Sequence, residues 1–439
     1  MNILIKHTII ILSLLTVFHF QACKEVDDMY IDNDNPITVT SVHLQDADDT
    51  VLDRPVTFAR LGQLIRLEGS GFLGIREVII NGESAYLNPT LLTDNSLIVR
   101  VPRLAPTVDA TAEVKNKIVL KKKSITLTHV FEIRDAAPSI SRVSHTLPKA
   151  GEEITIYGRG LVGVTSITFP GNVVVTTGIV SDVDGEWCKV NVPAGVSDDG
   201  GSILVIGVNG GAYSPAYFNF KKGIVHNFDD VNNSSWSQGE SSENLTAVIP
   251  TLGTGPKSQG IYRSLNKDAK LMPANDSPVD ITRYWINNSA WTNILTEEVI
   301  PGNTPTAEVA VQMDIYFEGV WNSGNIRFVV ADGSGASRFC MIYAPWESFG
   351  KRVPVENPGS WFTITLPFNL SIDYEDTDFQ YVMSTVTAAA YPQSGPWLEN
   401  GNINDAPSEP TTLNVYFDNI RIVPLKTPTY SDFGDEPED

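Results

Sequence analysis

Cysteine and histidine are scarce in this sequence, and each scarcity disfavours a class of protein. Its 439 residues include three cysteines, Cys23, Cys188 and Cys340, whose spacing fits neither a disulfide framework nor a metal site. The six histidines are scattered, and no H-E-x-x-H motif occurs. The sequence therefore favours neither a disulfide-stapled fold nor a zinc centre.

Positive charge is also in deficit. The chain has 31 Lys and Arg residues against 52 Asp and Glu residues, which gives a formal net charge of -21. A phosphate backbone is attracted by clustered basic residues, so this balance argues against a nucleic acid partner. The length allows about three domains, each large enough for its own core.

An apolar run near the N-terminus, from Thr8 to Phe20, follows Lys6 and precedes Ala22 and Cys23. It is shorter than the roughly 20 residues that span a bilayer. The pattern predicts a signal peptide over residues 1–22 rather than a membrane helix. The segment resembles a bacterial lipoprotein signal, which implies lipidation of Cys23. An ordinary secreted protein is the alternative.

The residues that follow Cys23 read K-E-V-D-D. They resemble the acidic export signal that sends lipoproteins of certain Gram-negative gut bacteria to the outer face of the outer membrane. The resemblance implies a lipid-anchored protein that faces the cell exterior and is held by its acyl chains. A solvated acidic tether is the alternative reading of these charges. Residues 23–36 are predicted to form a flexible acidic tether.

An internal repeat follows the tether. Residues 62–82 read GQLIRLEGSGFLGIREVIING, and residues 151–171 read GEEITIYGRGLVGVTSITFPG. Five glycines recur at identical spacing: Gly62, Gly69, Gly71, Gly74 and Gly82 match Gly151, Gly158, Gly160, Gly163 and Gly171. Short alternating strands separated by such glycines, at about 90 residues per copy, predict two immunoglobulin-like sandwiches.

Both copies resemble the IPT/TIG family of Ig-like domains. The first copy closely follows the signature G-x-x-I-x-I-x-G-x-G-F, and the second has Leu161 in place of Phe. The resemblance implies that residues 37–135 and 136–222 form two spacer domains. A binding face of their own is the alternative.

Residues 223–425 are predicted to form a third domain, without helical periodicity. Apolar and polar residues alternate strictly from Val309 to Phe317, which predicts a half-buried antiparallel strand. Similar alternation recurs at 326–330, 362–366 and 413–417. The sequence therefore predicts an all-β protein whose last domain is a jelly-roll-like β-sandwich. Residues 426–439 are predicted to be an acidic tail.

Seven of the eight tryptophans lie in the C-terminal half. Indole is large and flat, and its exposure is costly unless an apolar partner covers it. The face of a sugar ring is such a partner, and Asn or Ser side chains pair with its hydroxyls. Trp321 and Trp346 are predicted to lie in turns, while Trp285 stands beside Tyr284 and shortly before Asn287. This composition favours a carbohydrate-binding domain, and the acidic charge favours a neutral polysaccharide.

Together these features resemble the surface glycan-binding proteins of polysaccharide utilisation loci, of the xyloglucan and β-glucan binding type. The resemblance includes a Trp-rich domain that begins HNFDD and ends NVYFDNIRI. It implies non-catalytic capture of a neutral β-glucan, such as xyloglucan or mixed-linkage glucan, beside a glycan transporter complex and surface glycosidases. It also implies an aromatic platform, which we expect at Tyr284, Trp285, Trp291, Trp321 and Trp346.

Other interpretations stay open at this point. One is a surface adhesin or protein-interaction module. Another is a β-sandwich glycosidase, although no compact E-x-D-x-E strand occurs and His226 is the one histidine of the third domain. Asp229, Asp230 and Asp418 are candidate ligands of a structural calcium ion, with a solvated strand end as the alternative.

Overall fold

The computed structural model of the chain describes residues 34–45, 53–231, 234–238, 245–246, 258, 260–277, 279–330, 340–370, 376–388, 393–425 and 428–432. The chain divides into two compact units, one up to Ala136 and one from Ala137 onward. Across the described ranges, no helix is long and apolar enough to cross a membrane. The predicted signal peptide, Cys23 and most of the predicted tether lie outside these ranges.

The first unit contains two antiparallel four-stranded sheets around one apolar core. Its described strands are β1 (Thr38–Leu44), β2 (Phe58–Arg60), β3 (Leu64–Ser70), β4 (Glu77–Ile80), β5 (Glu83–Ala85), β6 (Leu87–Leu92), β7 (Ser96–Arg100), β8 (Lys117–Lys121), β9 (Thr126–Val130) and β10 (Glu132–Arg134). One sheet has the order β1-β3-β7-β6, the other has the order β5-β4-β8-β9, and β10 pairs with β2 in parallel.

The second repeat opens the second unit and reproduces this arrangement. Its described strands are β11 (Ser139–Val143), β12 (Glu153–Arg159), β13 (Ser166–Phe169), β14 (Val173–Val175), β15 (Val180–Ser181), β16 (Trp187–Asn191), β17 (Asp199–Gly201), β18 (Leu204–Gly207), β19 (Gly210–Tyr213) and β20 (Phe218–Phe220). The sheet orders are β11-β12-β16-β15 and β14-β13-β18-β19. The strands of the four-stranded sheets therefore occupy equivalent places in both copies, as the repeated glycines predict, whereas the two-stranded pairs differ: β2–β10 is parallel and β17–β20 is antiparallel.

The aligned glycines have a structural reason. Strand β1 pairs with β3, and β11 pairs with β12, each through a register shift, and the neighbouring backbone comes very close to one glycine in each copy. A Cβ atom on Gly69 would lie 1.8 Å from the carbonyl oxygen of Thr38, and one on Gly158 would lie 1.9 Å from that of Ser139. The other four aligned pairs have positive φ, which favours glycine. Both copies thus need glycine at the same five places.

In its described residues, the rest of the second unit is a β-sandwich with two short α-helices. Its described strands are β21 (Ile224–His226), β22 (Ser234–Gln238), β23 (Leu245–Thr246), β24 (Tyr262–Ser264), β25 (Val279–Asn287), β26 (Val309–Phe317), β27 (Val320–Trp321), β28 (Asn325–Val329), β29 (Cys340–Tyr343), β30 (Glu347–Ser348), β31 (Lys351–Arg352), β32 (Val355–Glu356), β33 (Phe362–Pro367), β34 (Gln393–Asn400) and β35 (Val415–Pro424). The α-helices are α1 (Ser289–Ile294) and α2 (Phe379–Ala388).

Two sheets enclose the main core of this sandwich. One runs β23-β24-β35-β26-β33, with β21 also paired to β35, and the other runs β22-β25-β34-β28-β29. Side chains from both sheets, such as Met313, Phe417, Phe328 and Leu398, belong to one buried apolar cluster. Since successive residues of a strand point to opposite faces, the neighbours of these core residues mark the outer faces. The predicted all-β fold is confirmed.

Strand β26 departs from its prediction on one side. Its apolar alternate residues lie in the core as expected, but all nine of its residues are buried. Part of the outer face is covered by the second repeat, where Ala310 packs against Phe220 and Gln312 pairs with Thr146. The prediction of a half-buried strand was wrong because it assumed solvent on the face that meets the preceding domain.

A buried polar network joins the second repeat to the sandwich. We call it the junction network and define it as His145, Thr146, Gln312, Asp314, Thr363 and Arg421. Arg421 donates to Asp314 at 2.9 Å and to the Thr146 hydroxyl at 2.7 Å, and the backbone N–H of Thr363 donates to the carbonyl of Ser144 at 2.8 Å. The two parts therefore share hydrogen bonds away from solvent. The domain boundaries given in the sequence analysis stay predictions.

Candidate functional site

The five residues predicted to form the aromatic platform are all buried. Their side chains leave no open ring face in this conformation: Tyr284 1%, Trp285 4%, Trp291 0%, Trp321 0% and Trp346 0% exposed. Four of them pack in the main core, and Trp285 alone lies in a separate cluster. The structure therefore corrects the expectation of a single exposed platform built from these five side chains.

Tyr284 points between the two sheets. Its hydroxyl is 3.0 Å from Nε2 of His226, and its ring packs against Phe228 and Phe417. Burial lowers the pKa of His226 to about 3, so this imidazole is neutral at physiological pH. The HNFDD motif that opens the domain thus supplies core partners for Tyr284.

Trp321 and Trp346 follow turns in the chain, but their indoles point inward. Trp321 donates its indole N–H to the carbonyl of Gly324 at 2.8 Å, and Trp346 donates to the same carbonyl at 2.6 Å. A turn position does not fix the direction of a side chain, and here each indole N–H reaches a backbone carbonyl while its ring is buried. Trp291 lies in helix α1 against Phe328. All three rings are core residues.

The outer face of the five-stranded sheet carries a different set of aromatics. Trp285 on β25 and Trp397 on β34 meet edge to face, with ring centroids 5.0 Å apart. They share an apolar cluster with Val329 and Cys340, which we call the indole cluster. Because Tyr284 and Leu398 point into the core, their neighbours Trp285 and Trp397 point away from it.

Charged and polar side chains lie on the same face as the indole cluster. Arg283, Trp397 and Arg327 stand in one cross-strand row, and the Arg283 guanidinium lies 4.2 Å from the centroid of the Trp397 ring. Next to this row, Arg327 pairs with buried Glu399 at 3.2 Å, and Asn325 donates to Glu399 at 3.2 Å. The face combines indole surface with charged hydrogen-bonding groups.

Buried polar atoms without a hydrogen-bond partner occur on this face among the described residues. The indole N–H of Trp397 and the amide oxygen of Asn325 are buried without a hydrogen bond. A buried polar group without a partner is rare and calls for an explanation, and a ligand hydroxyl satisfies both kinds of atom. In the backbone register, Trp236 of the neighbouring strand β22 is opposite Trp285.

Sequence reasoning named Trp285 and missed Trp397 as a site residue. The sequence does indicate the face itself, because Arg283 and Trp285 alternate with Tyr284 and therefore lie on the same side of their strand. Trp397 belongs to QSGPWLEN, where glycine and proline interrupt the pattern and hide the strand. Only the pairing of β25 with β34 places Trp397 beside Trp285.

The calcium candidates are not arranged as a ligand set. Asp229 and Asp230 are exposed and accept hydrogen bonds from the backbone N–H of Ile261 and the side chain of Asn227, whereas Asp418 is fully buried beside Ser258. Among the residues described here, no group of three or more His, Cys, Asp or Glu is placed to hold a metal ion. Calcium is therefore not proposed.

Asp418 gives the sandwich an expected pH dependence. Burial raises its pKa to about 8, above the value of about 3.9 for an unfolded aspartate. Between these values the folded protein holds the extra proton, so stability falls as pH rises, by up to about 1.4 kcal/mol per pH unit. We expect Asp418→Asn to flatten the dependence of the thermal midpoint between about pH 5 and pH 8.

The control for this prediction is Asp230→Asn, because Asp230 is exposed and its pKa is lowered by the hydrogen bond from Asn227. It is ionised throughout that pH range in both states, so its replacement should leave the slope unchanged. An Asp418→Asn protein with the wild-type slope would show that another group titrates.

Comparison with known proteins identifies a domain that is similar to the C-terminal part of this chain. Residues 218–424 match the family model described as "Surface glycan-binding protein B xyloglucan binding domain". The chain resembles surface glycan-binding proteins. This confirms the resemblance that the sequence analysis identified, and the matched segment contains both sheets and the indole cluster.

Two relatives extend the likeness beyond that domain. An "IPT/TIG domain-containing protein" of Bacteroides ovatus is 20% identical over 374 residues, which is 82% of this chain and 69% of the relative. The crystal structure of the surface glycan-binding protein PbSGBP-B from Prevotella bryantii superimposes with a TM-score of 0.64 at 20% identity, covering 89% of this chain and 99% of that one. The second comparison shows a shared fold.

Proposed function

We propose that this protein binds a neutral β-glucan at the cell surface without cleaving it. The observation that carries the proposal is the match of residues 218–424 to a xyloglucan-binding domain. The net charge of -21 supports a neutral glycan, because a polyanionic one would be repelled. Xyloglucan and mixed-linkage glucan are the glycans we expect.

We place the binding site on the outer face of the five-stranded sheet, at the indole cluster. Trp285 and Trp397 supply apolar ring surface, and Arg327, Glu399 and Asn325 supply donors and acceptors for hydroxyls. The unpaired N–H of Trp397 gains a partner when a hydroxyl reaches it.

The two indoles are 4% and 3% exposed, so binding requires a local change. Arg283 lies over the Trp397 ring, and the guanidinium occupies the position that a stacked sugar needs. We propose that the sugar ring replaces Arg283 on that face. The exchange costs a cation–π contact of about 0.5–1 kcal/mol and gains a stacking contact of about 2 kcal/mol. Hydroxyl contacts beside the ring add to this gain.

A glycosidase is the alternative function to consider, because two carboxylates lie close together in the sandwich. Asp314 and Asp418 face each other across β26 and β35. Burial raises the pKa of Asp418. Burial also acts to raise the pKa of Asp314, but the charges of Arg421 and His145 and the hydrogen bonds from Thr363 and Arg421 together outweigh it and hold that pKa below its ordinary value. Such a split resembles an acid and base pair. Both residues are fully buried, and Asp314 lies in the junction network, so a polysaccharide chain does not reach them.

The remaining parts of the chain are proposed to present the site to the exterior. The predicted lipidation of Cys23 would anchor the protein in the outer membrane, and the two Ig-like domains would act as spacers. A glycan transporter complex and surface glycosidases are the proposed functional neighbours. A single weak site on such a tether gains retention from many copies and a repeating ligand.

The proposed function predicts retardation of the purified protein in affinity gels. We expect xyloglucan or mixed-linkage glucan to slow its migration, with mannan and xylan as comparison glycans. Calorimetry should then give an affinity between about micromolar and millimolar, since about 2 kcal/mol per stacked ring is reduced by the cost of ordering a flexible chain.

Incubation with the same glycans should release no reducing ends. Release would overturn the claim of binding without cleavage. Unretarded migration in every glucan gel would instead favour the adhesin interpretation.

A further inference from the structure

A phenylalanine at the tip of a short hairpin has an unusual conformation. Strands β30 and β31 pair through Ser348 and Lys351, so Phe349 and Gly350 form a two-residue loop. Both loop residues have positive φ, 51° for Phe349 and 73° for Gly350. This is the type I′ pattern, in which Asn-Gly is preferred and a bulky residue at the first position is strained.

The same side chain is also fully in solvent. Phe349 is 99% exposed, so its ring has no cover. Backbone strain and apolar exposure both favour a different residue at this position, so neither explains why phenylalanine stands there. Strained residues of this kind cluster at functional sites.

The hairpin is held firmly on the sandwich. Trp346 is buried and donates to Gly324, and its carbonyl accepts from the backbone N–H of Val353 at 2.6 Å. Arg352 pairs with Glu409 at 2.5 Å, beyond the end of β34. The backbone that carries the ring is therefore held in place, so the loop loses little freedom when a ligand covers the ring.

The hairpin also lies at a definite end of the indole face. Trp346 bonds to Gly324, which directly precedes β28, and Glu409 follows β34. Asn325 and Glu399 mark this same end of the polar row on the outer face. The hairpin is therefore attached at the end of the sandwich where Asn325 and Glu399 lie.

We propose that Phe349 is a second contact for the polysaccharide, stacking on one sugar ring beyond the indole cluster. This inference rests on the proposed function. The surroundings suit a sugar, because Glu347, Lys351 and Arg352 offer acceptors and donors for hydroxyls around a single apolar ring. One ring and the half-exposed Val353 are much smaller than the contiguous apolar patch typical of a protein interface.

The test is Phe349→Asn, measured by calorimetry against xyloglucan polysaccharide. Asn-Gly suits a type I′ turn, so the thermal midpoint should stay unchanged or rise. The affinity for the polysaccharide should fall about tenfold, as expected for partial loss of one stacked ring. Phe349→Tyr, which keeps the ring, should bind like the wild type.

Tyr86→Asn is the matched control, because Tyr86 is 80% exposed in the first unit and has no assigned role. It should leave the affinity unchanged. If the wild type binds the glucan and the Phe349→Asn variant binds it equally tightly, the role of Phe349 is overturned while the proposed function stands. Absence of wild-type binding to every β-glucan would overturn the proposed function and, with it, this inference.

Discussion

Replacement of Arg421 with methionine is expected to lower the free energy of unfolding of the second unit by about 3–5 kcal/mol, because removing one partner of a buried ion pair strands the other. Arg421 is fully buried and donates to Asp314, Thr146, Gln312 and the Asn419 carbonyl. The variant leaves the Asp314 carboxylate without its cation.

The measurement is urea unfolding followed by indole fluorescence. All eight tryptophans lie after Ala136, so the signal reports the second unit alone. Because the pKa of Asp314 is held low, the contribution of the pair is present above the ordinary aspartate pKa of about 3.9 and is lost as pH falls below it. The gap between variant and wild type should therefore narrow in acid.

Two further variants separate the pair from a general loss of charge. Arg421→Met combined with Asp314→Asn should recover part of the lost stability, since no unpaired charge is then buried. Lys222→Met removes the exposed pair with Asp199 in the second unit and should change stability by less than about 1 kcal/mol. A loss as small for Arg421→Met would contradict the role assigned to the junction network.

The junction network also shows what the sequence could not reveal. Alternation from Val309 to Phe317 correctly identified a strand and its core face. It gave no information on what covers the other face, because that face is buried by residues from far along the chain, such as Thr146. The alternation predicts that the polar residues of that face meet solvent, although Gln312 and Asp314 are fully buried partners of Arg421.

The repeat and the fold class could be predicted from the sequence because they depend on local backbone and side-chain patterns. Glycines with positive φ and close backbone contacts recur at fixed spacing, and alternation marks strands. The residues of the proposed binding face could not be predicted in the same way, because they depend on which strands pair. Trp321 and Trp346 lie near turns and Trp397 follows a proline, yet the first two are in the core and the third is on the outer face.

This distinction sets up a comparison between two buried indoles. Trp397 and Trp291 are both almost wholly buried, and the N–H of each lacks a partner. Replacing either with alanine should lower stability by about 3–5 kcal/mol, since both leave a large cavity. Only Trp397 lies on the proposed binding face, so loss of binding should distinguish the two variants.

We expect Trp397→Ala to weaken xyloglucan binding about 30-fold, or about 2 kcal/mol, because the variant loses the net stacking contact together with the hydroxyl contact of the indole N–H. Trp291→Ala, measured at a temperature where circular dichroism shows both variants folded, should keep the wild-type affinity because Trp291 packs between the sheets against Phe328 and Phe368. Equal losses in both variants would mean that stability, not sugar contact, sets the affinity. A loss in Trp291→Ala alone would move the site to the side of the sandwich near helix α1.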